Sequence, residues 1–312
     1  MRFDNKVALV TGAGAGLGRA YAIMLAERGA KVVLVDQPLS SSESISTDGA
    51  QTIPANLALM QTYCSIIKLG GDCLYFVLDV SQRGEVNRMV EEVILRWHRI
   101  DILINNAGVY GACPFEHIKL EQWQRQLDVD LNGSFYLTQA VWPYMQQQDY
   151  GRIMMTTGAS ALFGDLHQVG FSASKMALVG MVNCLSIEGE IYNIRVNSLC
   201  PQAVTAMTAK HLASAIQPLF SFESLTATTA FLVSEQAPNG QHLLAGAGSV
   251  SHGMFVEFQP MYFNEGLFTP DNLAQQWPLL YQSFPVTLHS SGEDKVLSWS
   301  QLSALEHHIK ID

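Results

Sequence analysis

Apolar positions in this chain fall into short continuous runs that alternate with stretches of helical spacing. Residues 7–10 form the first run, rich in valine. It enters a glycine-rich turn, Thr11 to Gly18, which opens into a segment where Leu17, Ala20, Tyr21, Met24 and Leu25 recur at helical spacing. Gly29 ends that helix, and residues 32–35 form a second buried strand closed by Asp36. Strand, turn, helix and strand in this order predict a βαβ unit, the first half of a dinucleotide-binding fold.

The same alternation continues. Residues 37–62 hold Pro38, a serine cluster, Asp48-Gly49 and Pro54, and read as a long surface loop in which a helix starts near 56 and runs to 69. Strands are expected at 73–80, 101–104, 152–157, 195–199 and 242–245, and helices at 82–97, 120–147, 170–189 and 223–234. Helix 82–97 carries Val86, Met89, Val90, Val93, Ile94 and Trp97 on one face, and Pro143 is expected to kink the end of helix 120–147. The pattern implies an α/β protein with a single doubly wound (Rossmann) parallel sheet over residues 1–253 and a C-terminal extension over 254–312.

The glycines of the first turn have a mechanical purpose. The backbone must turn tightly and approach a pyrophosphate with no Cβ in the way, while the next helix offers free N–H groups and its positive end. Asp36 can accept from a ribose 2′-OH and would repel a 2′-phosphate. Ala15 precedes Gly16 and Gln37 follows Asp36, so no cation stands beside either position, which favours NAD over NADP.

The spacing is Thr11-Gly12-x-x-x-Gly16-x-Gly18, and the strand at 101–104 feeds Asn105-Asn106-Ala107-Gly108. With Asp79-Val80, Asn132 and Lys175, these stretches resemble the short-chain dehydrogenase/reductase family, and within it the (3R)-hydroxyacyl-CoA dehydrogenase branch of multifunctional enzymes. The resemblance implies a nicotinamide cofactor held by Gly12, Gly16, Leu17, Gly18, Asp36, Asp79, Val80, Asn106, Ala107, Gly108, Lys175 and Pro201. It also implies that Asn132 is the catalytic asparagine and Lys175 the lysine of a Y-x-x-x-K motif. The substrate implied is a small-molecule or carrier-bound acyl group.

The site departs from that pattern where the chemistry occurs. The family's tyrosine exchanges the carbonyl proton and its serine holds the substrate oxygen. Here the corresponding positions are Phe171 and, thirteen residues upstream, Gly158. Hydride transfer creates an alkoxide that phenylalanine cannot neutralise. Loss of a positioned acid costs roughly 10²–10⁴ in rate, and loss of an oxyanion hydrogen bond roughly 10²–10³. His167, four residues before Phe171, has an ionisation range suited to proton exchange and is a substitute candidate, against the plainer reading of an exposed loop histidine. Thr157 and Ser160 flank Gly158, and Ser160 shares its side of the chain if the strand persists. Thr205 or Thr208 could contact the carboxamide or serve a turn. Residues 209–220 are expected to form a lid. Besides an altered oxidoreductase, the sequence leaves open acyl condensation, dehydration or cyclisation on this scaffold, and a non-catalytic cofactor-binding subunit.

Composition narrows the partners. Twenty-eight acids against eighteen bases give a net charge of −10, which argues against a nucleic-acid surface. Neither an apolar run of membrane-spanning length nor a signal peptide is expected, and a cytoplasmic location is expected. Five cysteines without C-x-x-C spacing read as reduced, mostly buried thiols, neither a disulfide frame nor a metal site. The extension is dense in aromatic residues, among them Phe255, Phe258, Phe268, Trp277 and Tyr281. Such a tail needs burial, across the interface of a homodimer or homotetramer or as a lid on its own subunit.

Overall fold

A computed structural model describes residues 1–37, 45–47, 51–53, 55–205, 208–209, 213–264 and 266–310. The chain divides into two compact units, Met1–Gly253 and Met254–Asp312.

The first unit alternates strand and helix. Its elements are β1 (Val7–Thr11), α1 (Gly16–Glu27), β2 (Lys31–Asp36), β3 (Ile45–Thr47), β4 (Gln51–Ile53), α2 (Ala55–Lys68), β5 (Cys73–Val77), α3 (Arg83–Trp97) and β6 (Ile102–Asn105). They continue as α4 (Leu120–Leu127), α5 (Gly133–Gln147), β7 (Gly151–Thr156), α6 (Ala159–Phe163), α7 (Val169–Gly189), β8 (Ile194–Gln202), α8 (Glu223–Leu232), β9 (His242–Gly246) and β10 (Ser249–Gly253). Eight strands form one sheet in the order β10-β9-β8-β7-β6-β1-β2-β5, parallel throughout except for β10.

Every residue of β1 is buried because both faces of the sheet are covered. Ala8 and Val10 join one cluster with Tyr21 and Leu25 of α1 and Leu225 of α8. Val7 and Leu9 join the other, with Val86, Met89 and Val93 of α3, Val141 of α5 and Val182 of α7. The period-two alternation along β1 thus splits the core into two layers, as a doubly wound sheet requires.

The structure corrects several boundaries. The expected loop at 37–62 contains the hairpin β3–β4, while 38–44, 48–50 and 54 lie outside the described residues. The single helix expected at 120–147 is continuous, but a π-helical segment, Asp128–Asn132, joins α4 to α5, and α5 runs through Pro143 to Gln147. β8 continues to Gln202, and β10 is an added edge strand joined to β9 by Ala247 and Gly248, both at positive φ. A two-residue loop of that geometry suits a tight hairpin. Against the expectation of no spanning-length run, Val169–Tyr192 is long and apolar enough by length and composition; within it Leu178 and Val182 pack into the sheet cluster. Of the cysteines, Cys73 and Cys200 are buried, whereas Cys64 and Cys184 are exposed.

A buried acid fastens the sheet entrance. Asp101 is fully buried; it accepts from Val7 N at 2.8 Å and from Arg99 at 2.5 and 2.8 Å, with Lys6 at 3.9 Å. Asp101→Ala leaves the Val7 amide and the guanidinium without that acceptor. The expected loss is about 2–4 kcal/mol, which lowers the melting temperature by roughly 5–15 °C in a thermal melt.

In the second unit, β11 (Glu257–Phe258) pairs antiparallel with β12 (Val286–Thr287), beside α9 (Pro270–Leu280) and α10 (Gly292–His307). Thr269 and Ser291 cap the two helices through their hydroxyls. Glu257 gathers His289, Lys295 and Trp299 Nε1 around one carboxylate.

Candidate active site

The turn after β1 is held from across the sheet. Thr11 Oγ1 accepts from the backbone N of Asn106 and of Ala107, each at 2.9 Å, and Asn106 Nδ2 donates to Thr11 O at 2.8 Å. This clasp ties the first glycine turn to the end of β6. Gly12 sits at φ +66, and a Cβ there would lie 2.9 Å from Asn106 Nδ2. A Cβ on Gly18 would lie 2.0 Å from Gly12 O. Helix α1 begins at Gly16, with no side-chain cap and no acid in its first turn. Leu17 packs its side chain on the core, leaving its backbone at the turn. A bare helix N-terminus beside glycines that admit no side chain fits a pyrophosphate.

Asp36, closing β2, is locked by its neighbours. Its carboxylate accepts from Gly14 N at 2.7 Å and Gln37 N at 2.8 Å. Burial pushes the carboxyl above its ordinary range, and the two amides partly offset that. Farther along the edge, Asp79 accepts from Ser81 N at 2.9 Å, Ser81 Oγ at 2.8 Å and Arg125 Nη1 at 2.6 Å. Burial opposes its ionisation, but these donors outweigh burial and hold the carboxyl below the usual range. Arg125 Nη2 also reaches Gln37 Oε1 at 3.1 Å. A cation therefore does stand beside the residue after Asp36, supplied by α4 from 88 positions along the chain. The buried Val80 packs against Gly133, whose absent Cβ would lie 2.6 Å from Val80 Cγ2.

The reaction end is assembled by α7, the loop after β6 and the π segment. Lys175 is buried, with Nζ 3.2 Å from Asp130 Oδ2. Asp130 Oδ1 accepts from Val109 N at 2.9 Å, and a Cβ on Gly108 would lie 3.2 Å from Lys175 Nζ. One helical turn before Lys175, the Phe171 ring lies 5.6 Å from Nζ and edge-on to Tyr110, with centroids 5.6 Å apart. Gly158 caps α6, and a Cβ there would lie 2.8 Å from Phe171 Cε1. The phenyl ring thus fills the space a residue-158 side chain would need.

Two other expected participants, Asn132 and His167, make contacts of their own. Asn132 Nδ2 donates to Asp128 Oδ1 at 2.9 Å. Two residues along a helix are about half a turn apart, so Asp130 and Asn132 face different ways, and Asp130 is the one that meets Lys175. His167 is exposed at φ +65 and contributes its carbonyl to Cys113 N at 2.8 Å; its ring makes no hydrogen bond to Asn132 or Lys175. It borders a groove of about 430 Å³ with Tyr110, Cys113, Trp123 and Arg125. Ser160 does not continue the strand: β7 ends at Thr156, and Ser160 is buried in α6. Thr205 and Thr208 bond each other at 3.1 Å and satisfy their own loop. Of the expected lid, 210–212 lie outside the described residues.

Pro201 and Gln202 stay in β8, paired with Ala245 and Gly246 of β9. A Cβ on Gly246 would lie 2.5 Å from Gln202 Cβ, so glycine on the partner strand makes room for Gln202. Two residues that the sequence does not single out, Asp130 and Arg125, stand at the two ends of the site. Asp130 leaves one local trace: an acid flanked by the apolar Val129 and Leu131.

Comparison with known proteins places this geometry. The family model described as short chain dehydrogenase matches residues 6–216. Peroxisomal multifunctional enzyme type 2 of Drosophila melanogaster is 38% identical over 249 residues, covering 80% of this chain and 40% of that protein. A 3-oxoacyl-(acyl-carrier-protein) reductase of Thermotoga maritima is 33% identical over 211 residues, 67% of this chain and 79% of that one. The full-length structure of the Drosophila enzyme superposes with a TM-score of 0.78 at 28% identity, covering 99% of this chain and 51% of that one.

Proposed function

Since the chain belongs to the short-chain dehydrogenase family, whose members bind NAD(H) or NADP(H), we propose that it binds NAD(H) and acts as an oxidoreductase with an altered site on a 3-hydroxy or 3-oxo acyl thioester. The observation that carries the cofactor reading is the intact cradle of Gly12, Gly18 and the Thr11–Asn106 clasp, next to an Asp36 carboxylate held ready by two amides. Asp36 takes the adenosine ribose hydroxyls, and Asp79 and Val80 border the adenine. Asn106, Ala107 and Gly108 line the edge, Pro201 covers the far end, and Lys175 donates to the second ribose. When bound, the nicotinamide supplies or accepts a hydride. Arg125 does not invite a 2′-phosphate, because its charge is already met by Asp79 at 2.6 Å. Asp36→Ala is expected to weaken NADH binding by about tenfold or more and to erase the preference over NADPH, read by fluorescence titration of both nucleotides. An unchanged preference would move specificity to Arg125.

The substrate class follows from the reductase relative. Neither Phe171 nor Gly158 can exchange a proton, so that exchange falls to water or to a group bordering the groove, Tyr110 or His167, and the chemistry is slow. Purified protein mixed with NADH and a 3-oxoacyl thioester is expected to bind the nucleotide and turn over at least about 10⁴-fold below a relative with both hydroxyls. Failure to bind NADH would sink the reading. A second reading, a cofactor-binding subunit without turnover, is favoured by the Phe171 ring lying where a residue-158 side chain would project. The exposed aromatic side chains of the extension, Trp277 and Phe268 among them, suit a homodimer or homotetramer in which a second copy covers them.

A further inference from the structure

Asp130 has no solvent exposure, and its polar partners are Lys175 Nζ at 3.2 Å and Ser174 Oγ at 3.4 Å on Oδ2, and Val109 N on Oδ1. Lys175 is itself 4% exposed, and the ring of Phe171 lies 5.6 Å from its Nζ. A carboxylate and an ammonium this close, both out of water, form a neutral unit whose field beyond a few ångströms is that of a dipole. A lone ammonium at the same place would favour negative charge at position 171 and on a substrate oxygen next to it.

We propose that Asp130 cancels the charge of Lys175 towards the reaction face, so that this pocket is set against oxyanions by a third residue, independent of the two missing hydroxyls. Asp130 is a positioning residue: it pairs with the ammonium at 3.2 Å and leaves it as a hydrogen-bond donor rather than a source of net positive potential. The significance of this rests on the pocket being the nicotinamide site, but the test uses neither nucleotide nor substrate, so it can fail while that reading stands.

Phe171→Tyr places a phenol as a reporter beside the pair. The titratable groups shown against it are Lys175 on its own helix and Tyr110 on the loop after β6; Asp130 pairs with Lys175, and Asp165, on the loop before α7 with His167, acts on Tyr110. Tyrosinate absorbance is followed against pH as a difference from the parent protein. In F171Y the new phenol is expected to titrate at about 10 or above. In F171Y/D130N it is expected to fall by about two pH units, the effect of one uncompensated charge about 6 Å away at an effective dielectric near 20. Asn keeps an oxygen for Val109 N; if D130N does not fold, as judged by circular dichroism, D130S serves with the same expectation. A phenol already depressed in F171Y, or one that Asp130 substitution does not move, would overturn the proposal.

Discussion

Gly18→Ala is expected to abolish measurable NADH binding and to lower stability by about 3 kcal/mol or more. The reason is what the added Cβ would meet. It would lie 2.0 Å from Gly12 O, 2.6 Å from Gly12 C and 2.7 Å from Asn106 Nδ2. Two of these atoms are backbone, inside the turn that ends β1, and cannot rotate away. Relief requires α1 to lift from the turn, which opens the Thr11–Asn106 clasp at 2.8 Å and displaces the helix N-terminus from the phosphate position. Overpacking of well-ordered sites typically costs about 1–3 kcal/mol, and contact with backbone belongs at the top of that range. Neighbouring glycines serve as controls. A Cβ on Gly14 would press Asp36 Oδ2 at 2.8 Å and should weaken binding through the carboxylate. Among the described residues, a Cβ on Gly16, at φ +50, would meet only Thr205 side-chain atoms at 3.6 and 3.8 Å, so its alanine variant should show a backbone cost of about 1–2 kcal/mol and little more. Calorimetric NADH titration with thermal melts of the three variants checks the order. A G18A protein that binds like the parent would show that this turn does not hold the nucleotide.

The same contacts explain what the sequence discloses and what it conceals. β1, its turn, α1 and β2 are legible because each signal is local: a continuous buried run, glycines at the bend, helical spacing, then an acid at a strand end. The ion pair at the reaction end is not local. Asn132 carries the expected residue type, yet the π segment and the half-turn between positions 130 and 132 bring Asp130 to Lys175 instead. Residue identity alone therefore does not show which side chain meets Lys175. Arg125 is hidden for another reason. It reaches Gln37 from α4, whereas in the sequence only the chain neighbours of Asp36 are seen beside it. β10 is faint because an edge strand with Ser249, Ser251 and His252 shows almost no apolar run, although its Ala247-Gly248 loop is a usable signal. The loss of two hydroxyls is plain in the sequence. That the losses interlock is not, since only the fold brings the Phe171 ring to the residue-158 Cβ position.

That interlock governs how activity could be restored. Gly158→Ser alone is expected to be harmful, because its Cβ would lie 2.8 Å from Phe171 Cε1 and 3.2 Å from Cζ, forcing the ring from its packing against Tyr110. The cost should be about 1–3 kcal/mol in a denaturant melt, with no gain in turnover. Phe171→Tyr alone adds a phenol but no partner for the substrate oxygen, and the neutral Lys175–Asp130 unit leaves that phenol a poor participant. The two changes share one space, so they should not add, and a double-mutant cycle should show a coupling of 0.5 kcal/mol or more. Adding Asp130→Asn frees the ammonium. The triple variant F171Y/G158S/D130N is then expected to reduce a 3-oxoacyl thioester about 10⁴-fold faster than the parent, since it regains an acid worth roughly 10²–10⁴ and an oxyanion donor worth roughly 10²–10³, discounted for strain in a repacked pocket. Oxidation of NADH, followed by its nicotinamide absorbance with chain length varied, reads the result. A triple variant that binds NADH as the parent does, yet is silent on every thioester, would show that the pocket walls and not the missing hydroxyls exclude acyl substrates, and the cofactor-binding subunit would become the better account of this protein.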